Sequence, residues 1–236
     1  MQIIETGILG VRSAFIQFEA SHDDIAPVFQ LFPMLHIAEQ DFYSEVLTRL
    51  QDCDIILCEG VKSRTVSLIT LSYRFFVASK SLKLVLQNSM DLRHVKDKLV
   101  HADVDGGEFE KKWEKLGWYI RFGIPILAPF IGLYMRCFGT RKDIVKYSAL
   151  SLKKSQEEIL TYNEKLEEFE TIILDWRDQH LINVIEKQRK KHNNKRVKIG
   201  ILYGASHMRA VIYYLSNLRN PQYTITKSEW MTVMKP

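Results

Sequence analysis

Two short apolar runs that stop on polar or glycine residues constrain this chain most. They are Asp54-Ile-Ile-Leu-Cys-Glu-Gly60 and Val197-Lys-Ile-Gly-Ile-Leu-Tyr-Gly204. Each is short for a helix, rich in β-branched residues and bounded by turn formers, which is the pattern of a buried strand. Ahead of the first run, Phe42, Val46, Leu47 and Leu50 recur at helical spacing, and Val28 to His36 reads as a further strand. Strand, helix, strand in that order favours a parallel pair, with His36 and Glu59 at one sheet edge, where open α/β folds place their ligands.

The rest of the chain extends this body. Ser13 to Glu19 and Val28 to His36 form a predicted hairpin about the turn Ser21-His-Asp-Asp24. A helix is expected from about Arg64 to Ser79, then strands at Lys83–Gln87 and Lys98–Val104. From Glu108 to Lys195 the pattern is almost continuously helical, and Ile159, Tyr162, Leu166, Phe169, Ile173 and Trp176 make an amphipathic stripe. Val197–Gly204 returns as strand, Ser206–Leu218 as helix and Tyr223–Val233 as a last alternating strand. The expected class is α/β (α+β): one domain over 1–236, with a mixed central β-sheet, flanking helices and a large helical insertion at about 106–195.

At 46% hydrophobic and 26% charged, the chain can bury its own core. Its three cysteines cannot form a complete disulfide set, and Cys53-x4-Cys58 lacks companions at zinc-finger spacing, so a reducing compartment is expected. The first residues carry no basic-then-apolar leader pattern, so the expected location is the cytoplasm. The net charge of +5 draws on the run Lys187–Arg196, which reads as a solvated helix end whose cations meet the negative pole of the macrodipole. The aromatic residues lie in apolar runs and are not interleaved with this cluster, so nucleic acid is not an expected partner.

The segment Leu116–Gly139 stands apart. Between Arg121 and Arg136 lie 14 uncharged residues, interrupted by Pro125 and Pro129. That interval is short of the ~20 residues that span a bilayer. It is expected to form a bent helical hairpin buried against the body, beside the pocket, or in a homodimer contact. Membrane association through 116–139 is the alternative.

Four polar sites could carry chemistry. His36 ends a strand, where a histidine is commonly a satisfied turn residue. Glu59 follows Ile-Ile-Leu-Cys directly, and a carboxylate at the end of a buried strand must be paired or ligated. His207 follows Gly204-Ala-Ser, whose small residues let the backbone turn sharply and approach a ligand closely. Arg177 lies on the amphipathic stripe, where a solvated ion pair is the ordinary role. His101 and Asp103, in Val100-His-Ala-Asp-Val-Asp105, read on their own as a helix N-cap arrangement at a strand end.

Taken in order, Pro33-Met-Leu-His-Ile-Ala-Glu-Gln-Asp-Phe-Tyr43, Asp54–Lys62, Asp175-Trp-Arg-Asp178 and Tyr203-Gly-Ala-Ser-His207 resemble the successive motifs of the TraB/GumN and Tiki family, which shares its fold with erythromycin-esterase and ChaN-like proteins. The family pattern is a G-x-x-H, a glutamate ending the next strand, an arginine on a late helix and a second G-x-x-H. Here Pro33 replaces the first glycine, which a strand-end turn tolerates.

The resemblance implies a Tiki/erythromycin-esterase-like hydrolase of peptide or ester bonds, with His36, Glu59, Arg177 and His207 as catalytic residues. It further implies substrate contacts from Tyr43, His101, Asp103 and Gly204. In a metal-dependent scheme His36, Glu59 and His207 would ligate Zn, Mn or Co. In a metal-free scheme a histidine is general base, Glu59 orients it and Arg177 stabilises the oxyanion. The alternative to an enzyme is a signalling protein that binds a peptide or small ligand without turnover, related to the pheromone-shutdown role of TraB-like proteins.

Overall fold

A computed structural model describes residues 2–78, 82–141, 143–144 and 169–235. Seven strands form one mixed sheet: β1 (Ile4–Gly7), β2 (Gly10–Ala20), β3 (Val28–Met34), β5 (Ile55–Cys58), β7 (Leu99–His101), β8 (Lys198–Gly204) and β9 (Tyr223–Met234). The order is β1-β2-β3-β8-β5-β7, with β9 along β2. β3, β8, β5 and β7 run parallel, while β2 is antiparallel to β1, β3 and β9. A separate two-residue pairing joins β4 (Ile37–Ala38) to β6 (Val85–Leu86).

The parallel strands are continuous apolar runs because both faces are covered. Alternation along each strand sorts side chains to two cores. Phe32, Ile56 and Leu202 meet α1 (Gln40–Leu50) through Phe42, Val46 and Leu50. Phe29, Leu31, Leu57, Ile199 and Ile201 meet α6 (Trp176–Lys191) through Leu181 and Ile185, and α7 (Met208–Asn217) through Val211 and Leu215. Full burial of each such side chain is worth about 1.5–3 kcal/mol, so a truncation such as Phe42→Ala costs about 3–5 kcal/mol once the cavity is included.

Several elements differ from their sequence expectation for identifiable reasons. The helix expected over 64–79 is two, α2 (Arg64–Ile69) and α3 (Leu71–Val77), parted at Thr70. The Thr70 hydroxyl bonds back to the Val66 and Ser67 carbonyls, a local competition that disturbs helices. Pro33 lies inside β3, not in a turn after it. A strand residue turns its N and C=O to one side, and Pro33's carbonyl accepts from the Ser13 hydroxyl at 2.6 Å. On that side β2 pairs with β3 only through Phe29–Leu31, so the missing donor costs no ladder bond.

In the insertion, α4 (Gly106–Trp113) and α5 (Trp118–Phe138) pack around Phe109, Trp113 and Ile120, and a π-helical turn at Thr171–Asp175 leads into α6. Ile159, Tyr162 and Leu166 lie outside the described residues. The hairpin expected at 116–139 is a single helix of 21 residues, because prolines bend a helix without ending it when the other donors stay paired. Burial against the body is partial: Ile120 and Gly132 are buried, whereas Ile126 is 59% exposed and Phe130 65% in the single chain.

Candidate functional site

The parallel strands deliver one polar side chain each to the carboxyl edge. His36 follows β3, Glu59 follows β5, Asp103 follows β7 and His207 follows β8. The apolar strands fix these positions, since a residue just past a buried strand leaves the core at a set height.

Arg177 reaches them from α6 and binds two of them. Its Nη2 donates to Glu59 Oε1 at 2.6 Å across 118 positions of sequence, and to Asp103 Oδ2 at 2.7 Å. Its Nε donates to Asp103 Oδ1 at 3.0 Å, completing a two-pronged pair. Backbone donors complete both carboxylates. Gly204 N–H reaches Glu59 Oε2 at 2.6 Å, and Gly60 and Val104 N–H groups reach Asp103 at 3.0 and 2.8 Å. A Cβ at Gly204 would stand 3.0 Å from Glu59 Oε2, so a larger residue would push the carboxylate back by a few tenths of an ångström. The close approach expected for a ligand is made to the site's own carboxylate.

Burial pushes the Glu59 carboxyl up, but the charge of Arg177, followed by those of His36 and His207, outweighs it and holds the group below the ordinary carboxylate range. Asp103 follows the same logic, burial opposed by the hydrogen bond and charge of Arg177, with the same net direction. For Arg177 burial works against the charge, and its two carboxylates more than restore it. The ionised cluster is thus self-consistent.

His207 is buried behind Glu59. Its Nδ1 bonds Asp178 Oδ1 at 2.5 Å, its Nε2 lies 4.0 Å from Glu59 Oε1, and its ring packs edge-on against Tyr203 at 4.9 Å. His36 is exposed and packs against Tyr73 at 5.2 Å. His36, Glu59 and Arg177 line a cavity of about 470 Å³, together with apolar side chains that include Val66, Ile69, Met90 and Phe109. His207 and Gly204 lie off its lining, behind Glu59.

None of the four expected substrate contacts lines the cavity. Tyr43 is fully buried in the α1 core and its hydroxyl donates to the Leu35 carbonyl at 2.8 Å, so an aromatic ring at helical spacing has done the ordinary thing and filled the core. His101 is exposed, with Nε2 2.8 Å from the Gly60 carbonyl, outside the cavity lining. Asp103 holds Arg177 and does not line the cavity. Sequence reasoning gave no role to Asp178, although it adjoins Arg177 on the same helix. One turn of chain carries both the cation that binds Glu59 and the carboxylate that binds His207.

Among the described residues no group of three His, Cys, Asp or Glu side chains is arranged to share a metal ion. The proposed ligands His36, Glu59 and His207 also fit one poorly by their bonding. Both Glu59 oxygens are occupied by Arg177 and Gly204, and a divalent ion there would face a guanidinium bound to the same oxygen. The chain matches no family model, no curated protein and no solved structure.

Proposed function

We propose that this chain is a hydrolase of peptide or ester bonds, of the kind that its TraB/GumN- and Tiki-like motifs suggest, and that it works without a resident metal. The observation that carries the reading is the meeting of His36, Glu59 and Arg177 on one cavity, at the carboxyl edge of parallel strands.

The substrate's apolar part lies against Val66, Ile69 and Phe109, and its carbonyl faces His36. The His36 imidazole takes a proton from water as the water oxygen bonds to the carbonyl carbon. Ionised Glu59 favours the imidazolium so formed. Collapse breaks the carbonyl–leaving-group bond, and the same proton passes to the departing alcohol or amine, giving a carboxylic acid. Arg177 keeps Glu59 ionised and oriented, and the bond between Asp178 and His207 Nδ1 fixes the imidazole behind it.

The test is turnover of a panel of p-nitrophenyl esters and short apolar peptides by chelator-treated protein. His36→Ala and Glu59→Gln should each lower kcat by roughly 10²–10⁴-fold, the usual worth of a positioned acid–base group. Unchanged turnover in both variants sinks the reading.

The second reading, a non-catalytic pocket for a peptide or small ligand, is favoured by one observation. Nε and Nη2 of Arg177 are both held by carboxylates, which leaves Nη1, bonded at 3.4 Å to the Ile173 carbonyl, as its remaining donor toward an oxyanion. Saturable binding without turnover in the wild type, lost in His36→Ala, would select it.

A further inference from the structure

We propose that α5 is an in-plane docking helix for the surface of an anionic phospholipid bilayer, with its outer face immersed among the upper acyl chains.

The helix is 21 residues long, with mean hydropathy 1.3 over its apolar window and only 11% of that window buried. Its inner face is occupied. Ile120 is buried against α4, and α5 packs on α2 and α3, so tightly at Gly132 that a Cβ would stand 2.7 Å from the Ser72 backbone. The outer face carries Phe122, Ile126, Leu127, Phe130, Ile131 and Tyr134, all exposed. At about 100° per residue these six cover roughly 180° of the circumference with no charge among them, wider than the ~100° stripe of an ordinary amphipathic helix. Arg136 falls just outside that arc, at its rim, whereas Arg121 lies on the opposite side of the helix.

Three features favour lipid over a second copy of the chain. Aromatic side chains cluster at both ends, Trp118 and Tyr119 at one and Tyr134 and Phe138 at the other, as in residues that sit at headgroup level. Arg136 at the rim, the exposed Lys111 and Lys115 just ahead of the helix, and the net charge of +5 complement an anionic surface. The apolar arc is convex and broad, suited to a fluid that wraps it.

In-plane docking is favoured over a span by length and packing. The 14 uncharged residues between the arginines measure about 21 Å along the axis, against about 30 Å of hydrocarbon. A span would also strip α5 from α2 and α3.

The experiment is flotation of the full chain with vesicles of 70% phosphatidylcholine and 30% phosphatidylglycerol, beside pure phosphatidylcholine. The wild type should float with the anionic vesicles and less with the neutral ones. The double variant Ile126→Asp/Phe130→Asp, at exposed positions that the fold does not need, should lose about a hundredfold in partitioning or more. Spin labels on Trp118→Cys, Phe130→Cys and Phe138→Cys should share one shallow depth of about 5–10 Å. A wild type that stays unbound overturns the proposal, as does a dimer that the double variant makes monomeric. A Phe130→Cys label at the bilayer centre, with the end labels at opposite surfaces, overturns the in-plane geometry.

Discussion

The carboxyl edge of the sheet and helix α5 solve opposite problems. At the edge, polar groups are taken out of water and each is answered: Glu59 and Asp103 by Arg177 and backbone N–H groups, His207 by Asp178. On α5, apolar side chains face outward and no described residue covers them. A closed set of mutual partners is sensitive to any deletion within the protein. An open apolar face is indifferent to substitution within the protein and sensitive only to what lies outside. This contrast separates stability, which belongs to the edge, from the association proposed for the helix.

The largest expected effect follows from breaking the edge. Arg177→Ala leaves two buried carboxylates without their cation and should cost about 3–5 kcal/mol, read as a fall in the urea midpoint. Arg177→Lys should recover part of the charge but not the two-pronged geometry. If Arg177→Ala unfolds with the wild-type midpoint, the edge is not the closed set described.

Next in size is the response to acid. Glu59 and Asp103 are both held below the ordinary carboxylate range in the folded chain. Their contribution to stability is therefore fully present above the unfolded carboxylate pKa of about 4 and is lost as pH falls through the depressed folded values. Urea midpoints followed from pH 7 to pH 3 should drop steeply at the acid end. The double variant Glu59→Gln/Asp103→Asn should be less stable at pH 7 and flatter across the acid range, and an unchanged acid slope would count against the assignment.

Tyr43→Phe should cost about 1 kcal/mol, the net worth of one buried hydrogen bond, and should leave turnover or ligand binding at the cavity unaltered. A loss of function larger than the loss of stability would return Tyr43 to the site. Smallest of all, Ile126→Asp/Phe130→Asp should change the unfolding free energy measured in urea by no more than about 0.5 kcal/mol, as for surface substitutions generally. A large destabilisation would mean that α5 is covered within the chain itself and would erase the contrast.

Much of the fold was legible because periodicity is local. Ile55–Cys58 and Lys198–Gly204 announced themselves as strands, and parallel order placed His36 and Glu59 at one edge without a three-dimensional view. What was not legible was which polar atoms would meet. Asp178 and Asp103 are single carboxylates among many, and their roles depend on the rotation of α6 about its axis, which its apolar stripe fixes only coarsely. Tyr43 misled for the opposite reason, since a motif position and a core position at helical spacing look alike. The hairpin reading of 116–139 gave two prolines more weight than they carry inside a long helix with few other interruptions.

Helices α2 and α3 have one more consequence. Val66, Ile69, Thr70 and Tyr73 on this pair form a wall of the cavity, and α5 rests against the pair from outside. The start of α2 is clamped by Glu110 of α4, whose carboxylate accepts from the Ser63 hydroxyl at 2.6 Å and from the Thr65 N–H and hydroxyl at 3.0 and 2.8 Å. The pair is parted at Thr70, and α3 carries Tyr73, the ring beside His36. One pair of helices is therefore shared by the two regions contrasted above, lining the cavity and also packing on α5.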